Sequence, residues 1–326
     1  MNKFKLFFMI FLSAGLLLTA CSDDDDDEPA TTTNNNNNNN TDPNIAEIVI
    51  NSSDHDSLEK AVLRFNDIAN LLSNAGTYTV FAPTDAAFAR LLGGGSIDGL
   101  PDSTLRAILT YHVLGVEVPS SALADYTYAS TLSPAQGNFL SVKADVTGGV
   151  RINNTANVTS PDLAASNGVV HVIDQVLSLP NVVDLAQGDD RFDSLVVALT
   201  TYPASNYVQT LEGDGPFTVF APTNQAFADL IANNTSGWTS ISQIPQTVLE
   251  NVLNYHVVSG NVQSGDLDPA NNPIQTLNMM ATLDFDNTNG AQLLTGDTAQ
   301  GPVNIIITDV QGTNGIVHAV DAILLP

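Results

Sequence analysis

The sequence Thr-Val-Phe-Ala-Pro-Thr occupies residues 79–84 and recurs at residues 218–223, each time followed two residues later by Ala-Phe. Its β-branched and aromatic residues favour a strand, and the proline ends that strand. Thr84 and Thr223 then stand where the cap of an amphipathic helix is expected, with Phe88 or Phe227 on the apolar face. The stretch therefore predicts a strand that leads directly into a helix, twice in one chain.

Two further blocks recur in the same order. Tyr-His-Val at residues 111–113 returns at residues 255–257, and Asn-Gly-Val-Val-His at residues 167–171 returns as Asn-Gly-Ile-Val-His at residues 314–318. The offset between copies grows only from 139 to 147 residues. A period of this length is a domain, so we expect two tandem domains, at residues 42–180 and 181–326.

The sequence between these blocks predicts the rest of each domain. Pro101 and Pro245 begin helices that carry His112 and His256 on their apolar faces, and the Asn-Gly-x-Val-His block alternates as a strand does. The helix that Thr84 caps is expected to bury Leu91 and Leu92 beside Phe88. Short strand-like runs follow at residues 139–142, 149–152, 282–285 and 303–307. Asn289-Gly290 lies between two of these runs and is typical of a hairpin turn. Clustered helices followed by a series of strands indicate an α+β fold.

These three blocks together resemble the fasciclin domain family, over about residues 43–326. The resemblance implies a wedge-like β-sheet packed with several short helices in each domain. It also implies an extracellular location and a role in adhesion or matrix attachment. The closing block of the first copy is one residue longer before its proline, which we expect to affect only a short link between touching domains.

The N-terminus has the layout of an export signal. Lys3 and Lys5 precede an apolar run at residues 7–18, and Leu-Thr-Ala-Cys at residues 18–21 resembles a bacterial lipoprotein signal. We therefore expect a signal peptide at residues 1–20 and lipidation of Cys21, with palmitate among the acyl chains. Such chains would anchor the protein in a membrane.

Residues 21–41 are predicted to form a disordered tether, since they contain acidic and asparagine runs with almost nothing apolar. Acidic residues directly after a lipidated cysteine resemble the signal for the outer face of the outer membrane. We expect a protein that is lipid-anchored in the outer membrane and exposed at the cell surface, and the choice between the inner and outer leaflet stays open.

Charge and cysteine content exclude several classes of function. The chain has 35 acidic residues against 9 Lys and Arg, none of them after Arg191, so nucleic acid is a poor partner. The single cysteine excludes an intramolecular disulfide and a multi-cysteine zinc site.

Polar residues in the repeated blocks favour structure over chemistry. Four of the five histidines (His112, His171, His256 and His318) lie in apolar patterns, where a hydrogen-bonded core role is favoured over a metal or catalytic one. Asp162 and Asp309 are expected to stabilise turns through backbone N–H groups. Residues 284–295 resemble a calcium loop only superficially, and a polar hairpin is preferred. Known catalytic motifs are missing, so we predict no enzyme, no metal and no cofactor.

Two functions remain open. One is an interaction module that binds an extracellular protein or glycan, and for this function the family resemblance directs attention to the neighbourhood of Tyr111, His112, Tyr255 and His256. The other is a structural surface or biofilm-matrix component without a single ligand.

Overall fold

The computed structural model describes residues 42–125, 127–279, 281–288, 290–297 and 300–326. The predicted signal peptide, Cys21 and the tether lie outside the described residues. Residues Thr41–Pro326 form one compact unit that contains both repeats. Repeat 1 denotes residues 42–180 and repeat 2 denotes residues 181–326.

Repeat 1 begins with helices, and a single strand interrupts them. Its helices are α1 Ile45–Ile50, α2 Asp56–Leu63, α3 Asn66–Ser73, α4 Asp85–Leu92 and α5 Asp102–Tyr111. Its strands are β1 Tyr78–Pro83, β2 Val113–Leu114, β3 Thr127–Ala135, β4 Asn138–Asp145, β5 Arg151–Ile152, β6 Ala156–Ala165 and β7 Gly168–Ile173.

Repeat 2 has the same order of elements. Its helices are α6 Val182–Gln187, α7 Asp193–Thr200, α8 Tyr207–Leu211, α9 Asn224–Asn233 and α10 Gln246–Tyr255. Its strands are β8 Phe217–Pro222, β9 Val257–Ser259, β10 Ile274–Gln275, β11 Thr282–Asp286, β12 Gln292–Leu294, β13 Val303–Gly312 and β14 Gly315–Val320. The predicted α+β fold with two tandem domains is confirmed.

The first and last strands of each repeat pair in parallel. In repeat 1, Val80 lies opposite Val170, and β1 also pairs with β2, so the strands close into a barrel in the order β1 to β7. In repeat 2, Val219 lies opposite Val317, and the strand order is β10-β11-β12-β13-β14-β8-β9. Pairing residues so far apart in sequence brings the first and closing sequence blocks together.

Each sheet separates two apolar cores. In repeat 1, Val80 and Val170 pack on the helix side, whereas Phe81 and Ile173 pack among the strands with Tyr111. Repeat 2 has the same division, with Val219 on the helix side and Phe220 among the strands. The two faces of β1 therefore serve different cores, as the two-residue period of a strand allows.

The local predictions are confirmed at the first block except at Leu91. Thr84 Oγ1 accepts from Ala87 N at 3.3 Å, and Gly93 ends α4 in the left-handed conformation with φ 55°. Leu91, which we expected on the buried face, is 46% exposed. The buried residues of α4, Ala87 and Phe88, lie in its first half, whereas Leu91 lies in its last turn. The closing strand is buried on both faces, because helices cover one side and strands the other.

Candidate interaction surface

The Tyr-His pairs lie at the ends of α5 and α10, and their histidines hold the last segment of each repeat. His112 Nε2 accepts from Leu177 N at 2.9 Å, so Nδ1 carries the proton and donates to Ile108 O at 2.7 Å. His256 makes the same two bonds, accepting from Leu324 N at 2.9 Å and donating to Val252 O at 2.8 Å. Each histidine is neutral and acts as a staple between a helix end and the chain after the closing strand.

Burial sets the protonation of these staples. His112 and His256 are 3% and 2% exposed, and loss of solvation lowers the pKa of each to about 4. The core role that the sequence favoured for these residues agrees with this geometry.

The neighbouring tyrosines are equally enclosed. Tyr111 is fully buried, donates to Ser141 O at 2.8 Å and accepts from Asn153 Nδ2 at 2.8 Å. Burial raises the pKa of the Tyr111 hydroxyl. Tyr255 is also fully buried and donates to Thr282 O at 2.6 Å. Any binding role of the Tyr-His neighbourhood must therefore use the surface around these side chains.

A second shared network joins the closing strand to the loop after the Tyr-His pair. His171 is fully buried, with Nδ1 accepting from Asp162 N at 3.2 Å and Nε2 lying 3.0 Å from Val118 O. His318 repeats this with Asp309 N at 3.2 Å and Val262 O at 2.9 Å. The two repeats again use histidine as an internal connector.

Asp162 and Asp309 bind backbone N–H groups, as predicted, but the partners are distant in sequence. Asp162 Oδ1 accepts from Ser120 N at 2.7 Å, and Asp309 Oδ1 accepts from Ser264 N at 2.7 Å. The hydrogen bonds from Ser120 hold the pKa of Asp162 below its usual value. Each carboxylate therefore holds a loop that lies about forty residues earlier in the sequence, and it does not stabilise a local turn.

The hairpin predicted at residues 284–295 is formed by β11 and β12, and Asn289 of its turn lies outside the described residues. Asp286 Oδ1 accepts from Thr288 N at 2.8 Å, and β11 pairs antiparallel with β12 across the turn. Within the described ranges, no group of three or more His, Cys, Asp and Glu side chains is arranged to hold a metal ion.

The junction between the repeats is built around a buried charge cluster. Lys143 on β4 of repeat 1 donates to Gly188 O at 2.8 Å and lies 3.8 Å from Asp189 Oδ1 of repeat 2. Asp189 also pairs with Arg191, with Nη2 to Oδ2 at 2.6 Å. Lys143 and Asp189 are 3% and 0% exposed. Burial lowers the pKa of Lys143, an effect that the neighbouring Asp189 opposes.

Further hydrogen bonds extend this junction along β4 and β13. Gln311 N donates to Ser141 Oγ at 2.9 Å, Gln136 Nε2 donates to Thr313 O at 3.2 Å, and Asn154 Nδ2 donates to Asp190 Oδ1 at 2.7 Å. The repeats therefore touch, as the short link predicted. Lys143, Asn154 and Gly188 of the junction also border a cleft of about 350 Å³.

Sequence reasoning did not find this junction. Lys143 and Asp189 lie outside the blocks that recur in both repeats, so comparing the two copies does not draw attention to them. The available signal was a lysine within an apolar strand of a chain that has only 9 cationic side chains. Such a lysine is expected to be paired.

This chain belongs to the fasciclin family, since the model of the Fasciclin domain matches residues 56–180 and again residues 190–326. It is 36% identical to an uncharacterized protein of the cyanobacterium Synechocystis over 149 residues, which is 45% of this chain and 98% of that protein. It is 29% identical to the transforming growth factor-beta-induced protein ig-h3 of pig over 265 residues, 78% of this chain. The chain spans about a third of the length of the pig protein, the aligned share being 35%.

A solved structure confirms the fold of the pair. A FAS1 domain pair from the insect cell adhesion molecule fasciclin I has a TM-score of 0.50 and 18% sequence identity, covering 82% of this chain and 95% of that one. Fasciclin domains thus occur in cell adhesion proteins.

Within the part of the chain that the structure describes, the helices are too short or too polar to span a membrane.

Proposed function

We propose that this chain is an exported, lipid-anchored adhesion protein whose paired fasciclin domains bind an extracellular protein or glycan. The observation that carries the proposal is where the two repeats place their shared polar side chains. The matched His, Tyr and Asp residues bond to the backbone of their own repeat. The duplication thus preserves a scaffold, and the partner is left to contact its outer surface.

The junction supports presentation of that surface as one body. A buried Lys143–Asp189 pair and strand contacts restrict movement between the repeats. When both repeats engage one partner, a pair of sites held in a fixed arrangement loses less conformational entropy than a pair joined by a flexible link.

For the first contact we propose the exposed loops that follow the Tyr-His pairs. Val116 is 54% exposed, and its carbonyl oxygen accepts from Thr79 Oγ1 at 2.7 Å, which fixes the loop on β1. Gly260 is held in the same way by Thr218 Oγ1 at 2.7 Å. Tyr111, His112, Tyr255 and His256 would then position the loops without touching the partner.

The proposal is tested on cells that display the intact protein or a Cys21-anchored tether lacking residues 42–326. Attachment to matrix, to purified extracellular proteins and to glycans is compared between them, and the intact protein should attach in a saturable way. Unsaturable retention in matrix would instead indicate the structural role, and equal attachment of both cell types would refute the adhesion role.

The anchor has its own test. Cys21→Ala should release the protein from membranes and abolish incorporation of a fatty-acid probe. Ser22→Ala, which leaves the cysteine in place, is the matched control. Membrane partitioning of Cys21→Ala through detergent phase separation would refute the lipid anchor.

A further inference from the structure

Repeat 2 has a wide apolar groove at its surface. The groove lies between α9, α10 and the C-terminal segment, and it has a volume of about 810 Å³. Leu230, Trp238, Val248 and Ile323 contribute to its apolar lining. An opening of this size with so much apolar surface is typical of a site that another molecule covers.

One wall of the groove is held rigidly. Asn234 accepts from Trp238 N at 2.9 Å and donates to Trp238 O at 2.9 Å, so the backbone of Trp238 is held where the chain leaves α9. Trp238 is half-buried and is the single tryptophan of the chain. A wall fixed in advance lowers the entropy that a partner must lose on binding.

The groove also carries negative charge. Asp229 on α9 and Asp297 belong to its lining. Asp229 is exposed, and its Oδ1 accepts from Gln225 Nε2 at 2.8 Å. Repeat 2 as a whole has fifteen acidic side chains and one arginine. A partner that enters this groove therefore meets an attractive field if it is cationic.

In repeat 1 a cationic side chain takes the position that corresponds to Asp229. Arg90 of α4 occupies the place of Asp229, at the offset of 139 residues that relates the first blocks. Its Nη1 donates to Asp174 O at 2.7 Å, which joins α4 to the segment after the closing strand. Repeat 1 thus supplies its own cation between these two walls, whereas repeat 2 places a carboxylate there.

We propose that the groove of repeat 2 binds a peptide segment of a partner protein in which an arginine or lysine lies beside apolar side chains. The apolar side chains pack against Leu230 and Trp238, and the cation pairs with Asp229, in the place that Arg90 takes in repeat 1. This inference rests on the proposed interaction function and specifies the chemistry of one partner.

Other occupants fit less well. Residues 23–28 of the same chain are acidic and would be repelled. An anionic lipid surface or a nucleic acid would be repelled for the same reason. A second copy of this chain could contribute little positive charge, because its net charge is −26.

Short peptides and the fluorescence of Trp238 provide the test on the full chain. The probes are N-acetyl-Leu-Arg-Leu-amide, its Leu-Gln-Leu and Leu-Glu-Leu counterparts, and Ser-Arg-Ser. The Leu-Arg-Leu peptide should shift the emission in a saturable way. Each of the other peptides should bind at least about tenfold more weakly, since each lacks either the cation or the apolar contacts.

Variants locate the site. Asp229→Arg, which supplies the cation found in repeat 1, should abolish binding of the Leu-Arg-Leu peptide, and Asp229→Asn should weaken it about tenfold. Asp214→Asn removes the same charge from an exposed residue outside the groove and should change binding less than about twofold. Circular dichroism of each variant confirms that it is folded.

Three results would overturn the proposal. Equal binding of the Leu-Gln-Leu peptide would show that no cation is required, and unchanged binding by Asp229→Arg would place the peptide elsewhere. A concentration-dependent dimer in sedimentation that Asp229→Arg abolishes would identify a second copy as the occupant. The cell-attachment experiment is scored separately, so loss of attachment with intact peptide binding would refute only the adhesion role.

Discussion

The two repeats keep the same interior and differ where they meet their surroundings. The staples at His112 and His256 make identical bonds, and so do the connectors at His171 and His318. Outside this interior, Arg90 is replaced by Asp229. The two copies have kept their buried hydrogen bonds, because loss of one partner leaves a buried polar group unsatisfied, while their surfaces have diverged.

The junction shows the same divergence. Counted from the first helix of each repeat, Asp189 lies where repeat 1 has Ser52. Ser52 Oγ only bonds within its own loop, 2.7 Å from His55 Nδ1, whereas Asp189 pairs with Lys143 of the other repeat. One substitution of this kind replaces a hydrogen bond within a loop by a contact between the repeats.

The largest expected effect comes from breaking this junction. Asp189→Ala leaves Lys143 buried without its carboxylate, and loss of one partner from a buried pair costs about 3 to 5 kcal/mol. Urea denaturation should show a fall of that size in the free energy of unfolding. The two repeats, which we expect to unfold together in the unchanged protein, should then unfold in two separate transitions. Asp214→Asn removes the same charge from an exposed residue of repeat 2 outside the junction and should change the free energy of unfolding by less than about 0.5 kcal/mol. Equal effects of the two variants would contradict the central role of the buried pair.

The staples should be equivalent in the two repeats. His112→Ala and His256→Ala each remove two buried hydrogen bonds, at a cost of about 1 to 3 kcal/mol, and each adds a cavity penalty. The midpoint of thermal unfolding should fall by a similar amount for both. His55→Ala is the comparison variant, since the side chain of His55 is also buried but lies 2.7 Å through Nδ1 from Ser52 Oγ of its own loop, and the midpoint should fall less. A staple variant with an unchanged midpoint but lost attachment would show that its histidine is functional.

The staples also predict a dependence on pH. The pKa of His112 and of His256 is about 4 in the folded chain and about 6.5 when unfolded. Between these pH values the unfolded chain binds more protons than the folded chain. The contribution of the two neutral histidines to stability is therefore fully present above about pH 6.5 and is lost as the pH drops toward about 4.

From pH 7 to pH 5 this loss should be about 1 to 2 kcal/mol for each histidine, measured by urea denaturation. His112→Leu with His256→Leu should flatten the slope, although both substitutions lower stability at pH 7. An unaltered slope in that double variant would assign the pH dependence to other groups.

The smallest expected effect concerns the helix caps of the first block. Thr84→Ala and Thr223→Ala each remove a cap bond of 3.3 Å to the backbone, and each should cost about 1 kcal/mol. Thr84→Ser and Thr223→Ser keep the oxygen and should recover most of that loss in urea denaturation. A cost that differs strongly between the repeats would show that the first blocks are not equivalent.

Much of the fold could be predicted because its signals are local. The strand that ends at Pro83, the cap at Thr84 and the left-handed Gly93 each follow from the chemistry of a few neighbouring residues. The duplication followed from matched blocks, and the core positions of the histidines followed from their apolar patterns. These features needed no knowledge of distant contacts.

Other features were set only when distant segments met. The Asn-Gly pair at residues 167–168 lies where the turn after β6 leads into β7. In the structure, Asn167 Oδ1 accepts from Ile45 N at 2.9 Å, 122 residues away. A Cβ on Gly168 would lie 1.9 Å from Tyr78 O, because β1 runs parallel to β7 at that point. Glycine is required here both by the backbone conformation and by the close approach of β1. Only the close approach depends on the tertiary structure.

By itself the sequence determined the family, the duplication and the buried character of the shared histidines, since each is written in residue type and short spacing. The tertiary structure decided the junction at Lys143 and Asp189, the distant partners of Asp162 and Asp309, and the open groove beside Trp238. These depend on which surfaces meet after the chain has folded. A carboxylate or lysine in isolation has no preferred partner until burial removes the water that would otherwise solvate it.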